Sequence, residues 1–254
     1  MDFFSSVWLE MAVGLSIYLG LFVSVEIGYR LVKVLGKGES DKAQIGTMQA
    51  AVLALLGLLL GFSFAGAASR FIERQDLIVA EANAIGTAYL RADLLDEPSR
   101  ESLRAALRTY TDERIALFRE LRPAPAAEIQ QRLRDQHTTM WRAAIQGVRD
   151  QPQFALAVLA PVNDVIDLDA TRAAAARRHL PILVLGLLIV CAVIGVMTIG
   201  FGCGLAKKRH ITMTSALVFL IGSALWTTID LDHPRRGLIT MKATSLIETR
   251  EGMK

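Results

Sequence analysis

The charged residues that follow the second apolar run of this chain are spaced for contact on a helix. Arg70 and Arg74 are four apart and Glu81 lies seven further on, so the three share one stripe. Asn83, Thr87 and Arg91 repeat at four and form a second stripe. Two chemistries fit this pattern. The stripes make ion pairs within and between packed helices, or they line a wet vestibule just outside a membrane pore, where arginines attract anions. Carboxylates also gather in two other places. Asn163, Asp164, Asp167, Asp169 and Arg172 precede the third apolar run, and Asp230, Asp232 and His233 precede Pro234 and Gly237. Oxygens grouped at Asp230 and Asp232 can hold Ca²⁺. Helix capping and pairing with Arg235 or Arg236 is the competing use of the same carboxylates.

Catalytic signatures do not emerge. Gly61-Phe62-Ser63-Phe64-Ala65 lacks the final glycine of a nucleophile elbow. The Gly200, Gly202, Gly204 repeat is too short for a dinucleotide fingerprint and reads as close helix packing or a local weakness. His137, His179, His210 and His233 are isolated from one another in sequence, without metal-ligand spacing. The chain is therefore not read as an enzyme, and no cofactor is expected. No basic cluster with interleaved aromatics points to nucleic acid.

The elements that carry these residues follow from hydropathy. Hydrophobic residues make up 52% of the 254 and charged residues 21%. Residues 43–69, 180–206 and 211–229 carry no charge, and each run is long enough to cross a bilayer as a helix. Met11 to Val25 is a fourth candidate, extended by Phe3, Phe4, Val7, Trp8 and Leu9 and anchored by Trp8 and Tyr18. The acidic start Met1-Asp2 and the lack of a clear cleavage site favour a membrane helix over a removable signal. Cys191 and Cys203 would lie roughly 18 Å apart on one helix, too far to bridge.

These runs predict an all-α polytopic membrane protein with four transmembrane helices and a helical extramembrane domain. Residues 1–69 form a first transmembrane hairpin, 70–179 the helical domain, 180–230 a second hairpin and 231–254 a C-terminal tail. The helical domain holds 16 Arg, no Lys and 16 Asp plus Glu. Leu103, Leu107, Tyr110, Leu117 and Leu121 keep a helical period with Arg114 in the gap. Ile129, Leu133, Trp141 and Ile145 do the same with His137 in the vacant place. Breaks are expected at Pro98, at Pro123 to Pro125, at Pro152 and at Pro161.

Within the second run, Gly57, Gly61, Ala65 and Ser69 recur every fourth residue, a small-residue stripe that lets another helix approach. The pattern continues without a breaker to about Leu95, which predicts a single long spine joining the membrane hairpins to the helical domain. Glu26 is placed to pair with Arg30 at the membrane edge. Five of seven lysines fall in the two short loops, which the positive-inside tendency places in the cytoplasm, with the helical domain and both termini outside. The expected setting is the cell inner membrane, crossed several times, with membrane lipid as a partner.

Several segments together resemble the bestrophin-like group of bacterial membrane proteins: "FIERQDLIVAEANAIGTAYLRADLL", "YTDERI", "NDVIDLDATR" before "HLP", and "DLDHPRRG" after the last helix. True bestrophins are pentameric anion channels with four membrane helices per subunit and a cytosolic helical domain. The resemblance thus implies a homo-oligomeric channel, with a pentamer as the reference. It also implies the opposite orientation to the one the lysines suggest. The chain departs from the bestrophin pattern in two ways. Phe62 and Phe64 are two apart rather than four, and no dense acidic calcium clasp follows the last helix. The function expected is an oligomeric channel for anions, with the second helix lining the conduit. The alternative is a membrane-anchored sensor or scaffold that binds a protein partner.

Overall fold

Eight α-helices and no strand occur among the residues described by the computed structural model, which are 3–35, 41–119, 125–234 and 238–253. In chain order they are α1 (Phe3–Leu35), α2 (Asp41–Arg91), α3 (Ser99–Arg119), α4 (Ala126–Val148), α5 (Ala155–Ala176), α6 (Ile182–Leu205), α7 (Ile211–Asp232) and α8 (Thr244–Glu251). Four of them, α1, α2, α6 and α7, are long and apolar enough to cross a membrane. The all-α polytopic architecture is therefore the one observed. The chain divides into two units. One is Phe4–Phe71 with His179–Thr240; the other is chiefly Ile72–Arg178 with Met241–Lys254. Residues after α7 are shared between them. Lys37, the side chains of Trp8 and Lys42, Leu121 to Ala124, Arg235, Arg236 and Gly237 lie outside the described residues.

The membrane unit packs α1, the first part of α2, α6 and α7 around Leu21, Leu56, Leu188, Val196, Val218 and Leu225. Lipid supplies no hydrophobic drive between helices, so close approach must come from small residues. Gly28 and Gly200 provide it. A Cβ on Gly28 would stand 1.9 Å from the Met197 carbonyl oxygen, and one on Gly200 would stand 2.0 Å from that of Val25. The backbones of α1 and α6 are therefore in direct contact, which accounts for part of the glycine repeat on α6. The Tyr18 and Ser223 hydroxyls meet at 2.8 Å. At the short-loop end Glu26 pairs with Arg30 at 2.7 Å, as expected, and also with Arg209 at 2.9 Å. Cys191 and Cys203 are free thiols.

The stripe on α2 behaves differently. Gly57, Gly61, Ala65 and Ser69 are all exposed in the single chain. A Cβ added at Gly57 or Gly61 meets nothing within 4 Å. Small residues thus join helices on α1 and α6, and also on α7, where a Cβ on Gly222 would stand 2.5 Å from the Tyr18 ring, whereas Gly57 and Gly61 of the α2 stripe have no such neighbour.

The helical unit packs the second part of α2 with α3, α4, α5 and α8. Its core includes Ile85, Leu103, Leu107, Tyr110, Met140, Val162 and Leu246. Each large apolar side chain buried there contributes about 1.5–3 kcal/mol. The α3 period holds: Leu103, Leu107 and Tyr110 are fully buried and Arg114 is only 4% exposed. The α4 period does not. Trp141 and Ile145 are exposed, while Met140, Ala143 and Ala144 are buried. The cause is geometric, since a strict repeat of four advances about 40° too far per step on a helix of 3.6 residues per turn.

Pro161 also departs from expectation, because it sits inside α5 rather than ending a helix. It has no N–H to offer the Ala157 carbonyl four residues back. Arg91 supplies the missing donor, its Nη1 lying 3.0 Å from that oxygen. The long helix itself ends a turn early: α2 stops at Arg91, and a 3₁₀ turn over Ala92–Leu94 leads to extended backbone at Leu95.

Candidate functional site

Glu81 lies on the inner face of α2 and is fully buried. A lone carboxylate there would cost several kcal/mol, so it must be paired and hydrogen-bonded. Both oxygens are engaged. Oε1 accepts the Tyr110 hydroxyl at 2.6 Å and faces the Arg114 guanidinium at 3.0 Å. Oε2 is held by Arg172 of α5. Arg114 reaches on to Asp169 at 3.2 Å, and His137 of α4 stands 3.8 Å from the other Asp169 oxygen. The Tyr110 and His137 rings are 5.5 Å apart. One buried carboxylate therefore ties α2, α3 and α5 together, and α4 joins through Asp169.

Burial sets the protonation of this cluster. It pushes the Tyr110 hydroxyl well up, with Glu81 adding to the effect. It also pushes the Asp169 carboxyl up, against the pull of Arg114 and His137. It draws His137 below the ordinary histidine value of about 6.5, and Arg114 adds to that. The sign of the pH effect follows. An unfolded chain binds a proton on His137 more readily than the native one does, so acidification through about pH 6.5 favours unfolding. Asp169 acts in the opposite sense at lower pH, because its native carboxyl holds the proton more tightly than the unfolded one. Thermal melts at pH 7.5 and 6.0 are expected to show a larger loss for wild type than for His137→Gln. Equal losses would rule His137 out as the source.

The remaining predicted positions divide by face. Arg70 pairs with Asp232 at 3.0 Å within the membrane unit. Arg74 is buried and donates to the Ala175 and Arg178 carbonyls at 3.2 and 2.5 Å. It thus adds a charged donor to carbonyls at the end of α5, where a cation is favoured. Asn83, Thr87 and Arg91 are exposed. The stripe of Arg70, Arg74 and Glu81 is therefore engaged within the chain, whereas Asn83 and Thr87 of the second stripe face outward and Arg91, though exposed, donates to the Ala157 carbonyl. Asn163 bonds Asp167 one turn away at 2.7 Å. Asp230 and Asp232 do not share a site. Asp230 accepts the Leu238 and Ile239 amides, both at 2.9 Å.

Sequence reasoning missed the partnership of Glu81 with Tyr110, Arg114, Asp169 and Arg172. The signal was present at Arg114 and His137, each a polar residue in a core-facing place of an apolar repeat.

Four apolar helices and a second, helical unit make up the described chain. The sequence matches the Bestrophin-like domain over residues 16–246. The chain belongs to the bestrophin-like family. A crystal structure of a bacterial bestrophin homologue from Klebsiella pneumoniae has a similar fold, with a TM-score of 0.65 at 16% identity, covering 94% of this chain and 95% of that one. A variant of that homologue gives a TM-score of 0.65 at 14% identity over 96% and 98% of the two chains. A crystal structure described as a membrane protein gives 0.65 at 14% identity over 96% of each. No protein of curated function matches the sequence. The resemblance in the exit of α2 and in the segment after α7 is thus a family relationship that covers nearly the whole chain.

Proposed function

We propose that this bestrophin-like chain forms a homo-oligomeric channel, with a pentamer as the expected ring, in which α2 lines the conduit and anions pass. The observation that carries the reading is the unpartnered face of α2. It includes Gly57, Gly61, Ala65 and Ser69 and continues through Ile72, Asp76, Val79, Asn83, Thr87 and Leu90, all exposed in the single chain. Their steps of three or four average the turn of a helix, so they form one side of it. A side left bare from the membrane into the helical unit has two uses: contact with a second copy, or contact with water in a conduit.

The preference for anions is supported by the lining. Residues 43–69 contribute no carboxylate to the membrane part of such a conduit, Asp76 lying beyond them on the same face, and rings of Asp or Glu are what cation channels use. Helical spans support a setting in the cell inner membrane, since outer-membrane proteins span as β-barrels.

The test is flux from vesicles carrying purified protein, with chloride and potassium followed separately. Chloride should leave faster. Asn83→Lys should raise the chloride-to-potassium ratio and Asn83→Glu should lower it, each by about threefold or more for one charge near a narrow path. Gly61→Leu should reduce both fluxes, since it adds bulk to the bare face. Vesicles that stay tight across voltage, Ca²⁺ and pH, from particles that image without a central hole, would sink the channel and leave the membrane-anchored scaffold standing.

A further inference from the structure

At the end of the membrane unit where α6 begins and α7 finishes, His179 converges with the adjacent Asp232 and His233 from 53 residues away. We propose that His179, Asp232 and His233 form a site for a divalent transition metal, zinc by its ligand chemistry, that clamps α6 to α7. One candidate ligand atom from each residue lies within 4.8 Å of the other two. The His179 Nδ1 and the Asp232 Oδ2 are 3.3 Å apart. That is the edge of a tetrahedron whose centre is about 2.0–2.1 Å from each ligand, the distance zinc takes to imidazole nitrogen and carboxylate oxygen. The His179 Nδ1 also lies 3.1 Å from the Asp232 main-chain carbonyl oxygen, so the metal would replace the proton that this nitrogen donates there.

The surroundings are those of a supported site. Asp232 is 2% exposed. Its other oxygen is fixed by Arg70 at 3.0 Å, and its Oδ2 also accepts the Leu180 amide at 2.9 Å. The carboxylate is therefore held in place before any ion arrives. His233 directs Nδ1 at the Ile229 carbonyl, 3.2 Å away. With the proton on Nδ1, its Nε2 is the lone-pair nitrogen and the one free to bind. The His179 and His233 rings stack with centroids 4.8 Å apart and planes within 10°. A metal lies in the plane of each imidazole it binds, so metal binding requires the His233 ring to turn out of this stack, at the expense of its Ile229 contact. A fourth position is left for water, since Asp230 is committed to the Leu238 and Ile239 amides. Two nitrogens and one oxygen select zinc and its neighbours over calcium, which takes six or more oxygens.

Calorimetry on the chelator-stripped full chain in detergent, titrated with zinc chloride, tests this. One zinc per chain is expected, with affinity lowered about tenfold or more by His179→Gln and by His233→Gln, and no displacement by excess calcium. Zinc should raise the thermal midpoint of wild type and leave both variants where they were. X-ray absorption of the zinc-loaded wild type should show two imidazoles and a carboxylate at the metal, a reading that does not depend on the variants folding. Absence of saturable zinc binding, affinity unchanged in both histidine variants, displacement by calcium, or a shell without two imidazoles would each overturn the site. None of these readings needs ion flux, so the site stands or falls apart from the channel.

Discussion

Glu81→Ala should destabilise the helical unit by about 3–5 kcal/mol, the range found when one partner of a buried ion pair is removed. For a chain of this length that corresponds to a fall of about 10 °C in the thermal midpoint. The size follows from what is stranded. Glu81 is fully buried and Arg114 is 4% exposed. With the carboxylate gone, the guanidiniums of Arg114 and Arg172 and the hydroxyl of Tyr110 all lose the acceptor they share. Asp169 remains as an acceptor for Arg114 at 3.2 Å. Asn83→Ala, on the exposed face of the same helix two residues on, should change stability by only about 0.5 kcal/mol. Circular-dichroism melts of the two variants in one detergent decide the matter. If they melt together, the buried carboxylate is not what holds α2, α3 and α5 in place.

This cluster also marks how far the sequence could be read. Arg114 and His137 stand out because each interrupts an apolar repeat at a place that faces inward, and a charge in such a place needs a partner. Nothing local names that partner. Glu81 and Arg172 are 91 residues apart, and only tertiary packing brings α2 and α5 together. The four membrane helices were legible because the bilayer sets their length and composition. The α4 face was misread because a repeat of four drifts around a helix, so Trp141 and Ile145 end on the outside. Pro161 was read as a break because the proline rule concerns the lost backbone bond, and the compensating Arg91 lies on another helix. The convergence of His179 with His233 had no local signal either, since 53 residues and two membrane helices separate His179 from Asp232. In each case the residue type was informative and the contact was not, because contact depends on which distant segment the chain returns to.

The glycines of the membrane unit give the second large effect. Gly200→Ala should disrupt the α1–α6 contact, because the added carbon would stand 2.0 Å from the Val25 carbonyl oxygen and 2.8 Å from its carbon. Backbone cannot swing aside as a side-chain tip can. The helices must part by more than 1 Å to reach an ordinary contact of about 3.5 Å, and a gap of that size forfeits a quarter to a half of each dispersion contact along the seam. The cost is expected at about 3 kcal/mol, the upper end for overpacking, and Gly28→Ala should behave alike. Gly57→Ala and Gly61→Ala carry the same chemical change on α2 but meet nothing within 4 Å. They should leave the isolated chain as stable as wild type, or slightly more so, since alanine favours a helix over glycine by about 1 kcal/mol. Midpoints of detergent melts, taken with particle mass, separate the two classes. The α6 variant should melt early at unchanged mass per chain, whereas any effect of the α2 variants must act through a neighbouring chain. If Gly57→Ala lowers the midpoint as far as Gly200→Ala does while the particle stays whole, then α2 carries an intrachain contact and its bare face is no longer available to line a conduit.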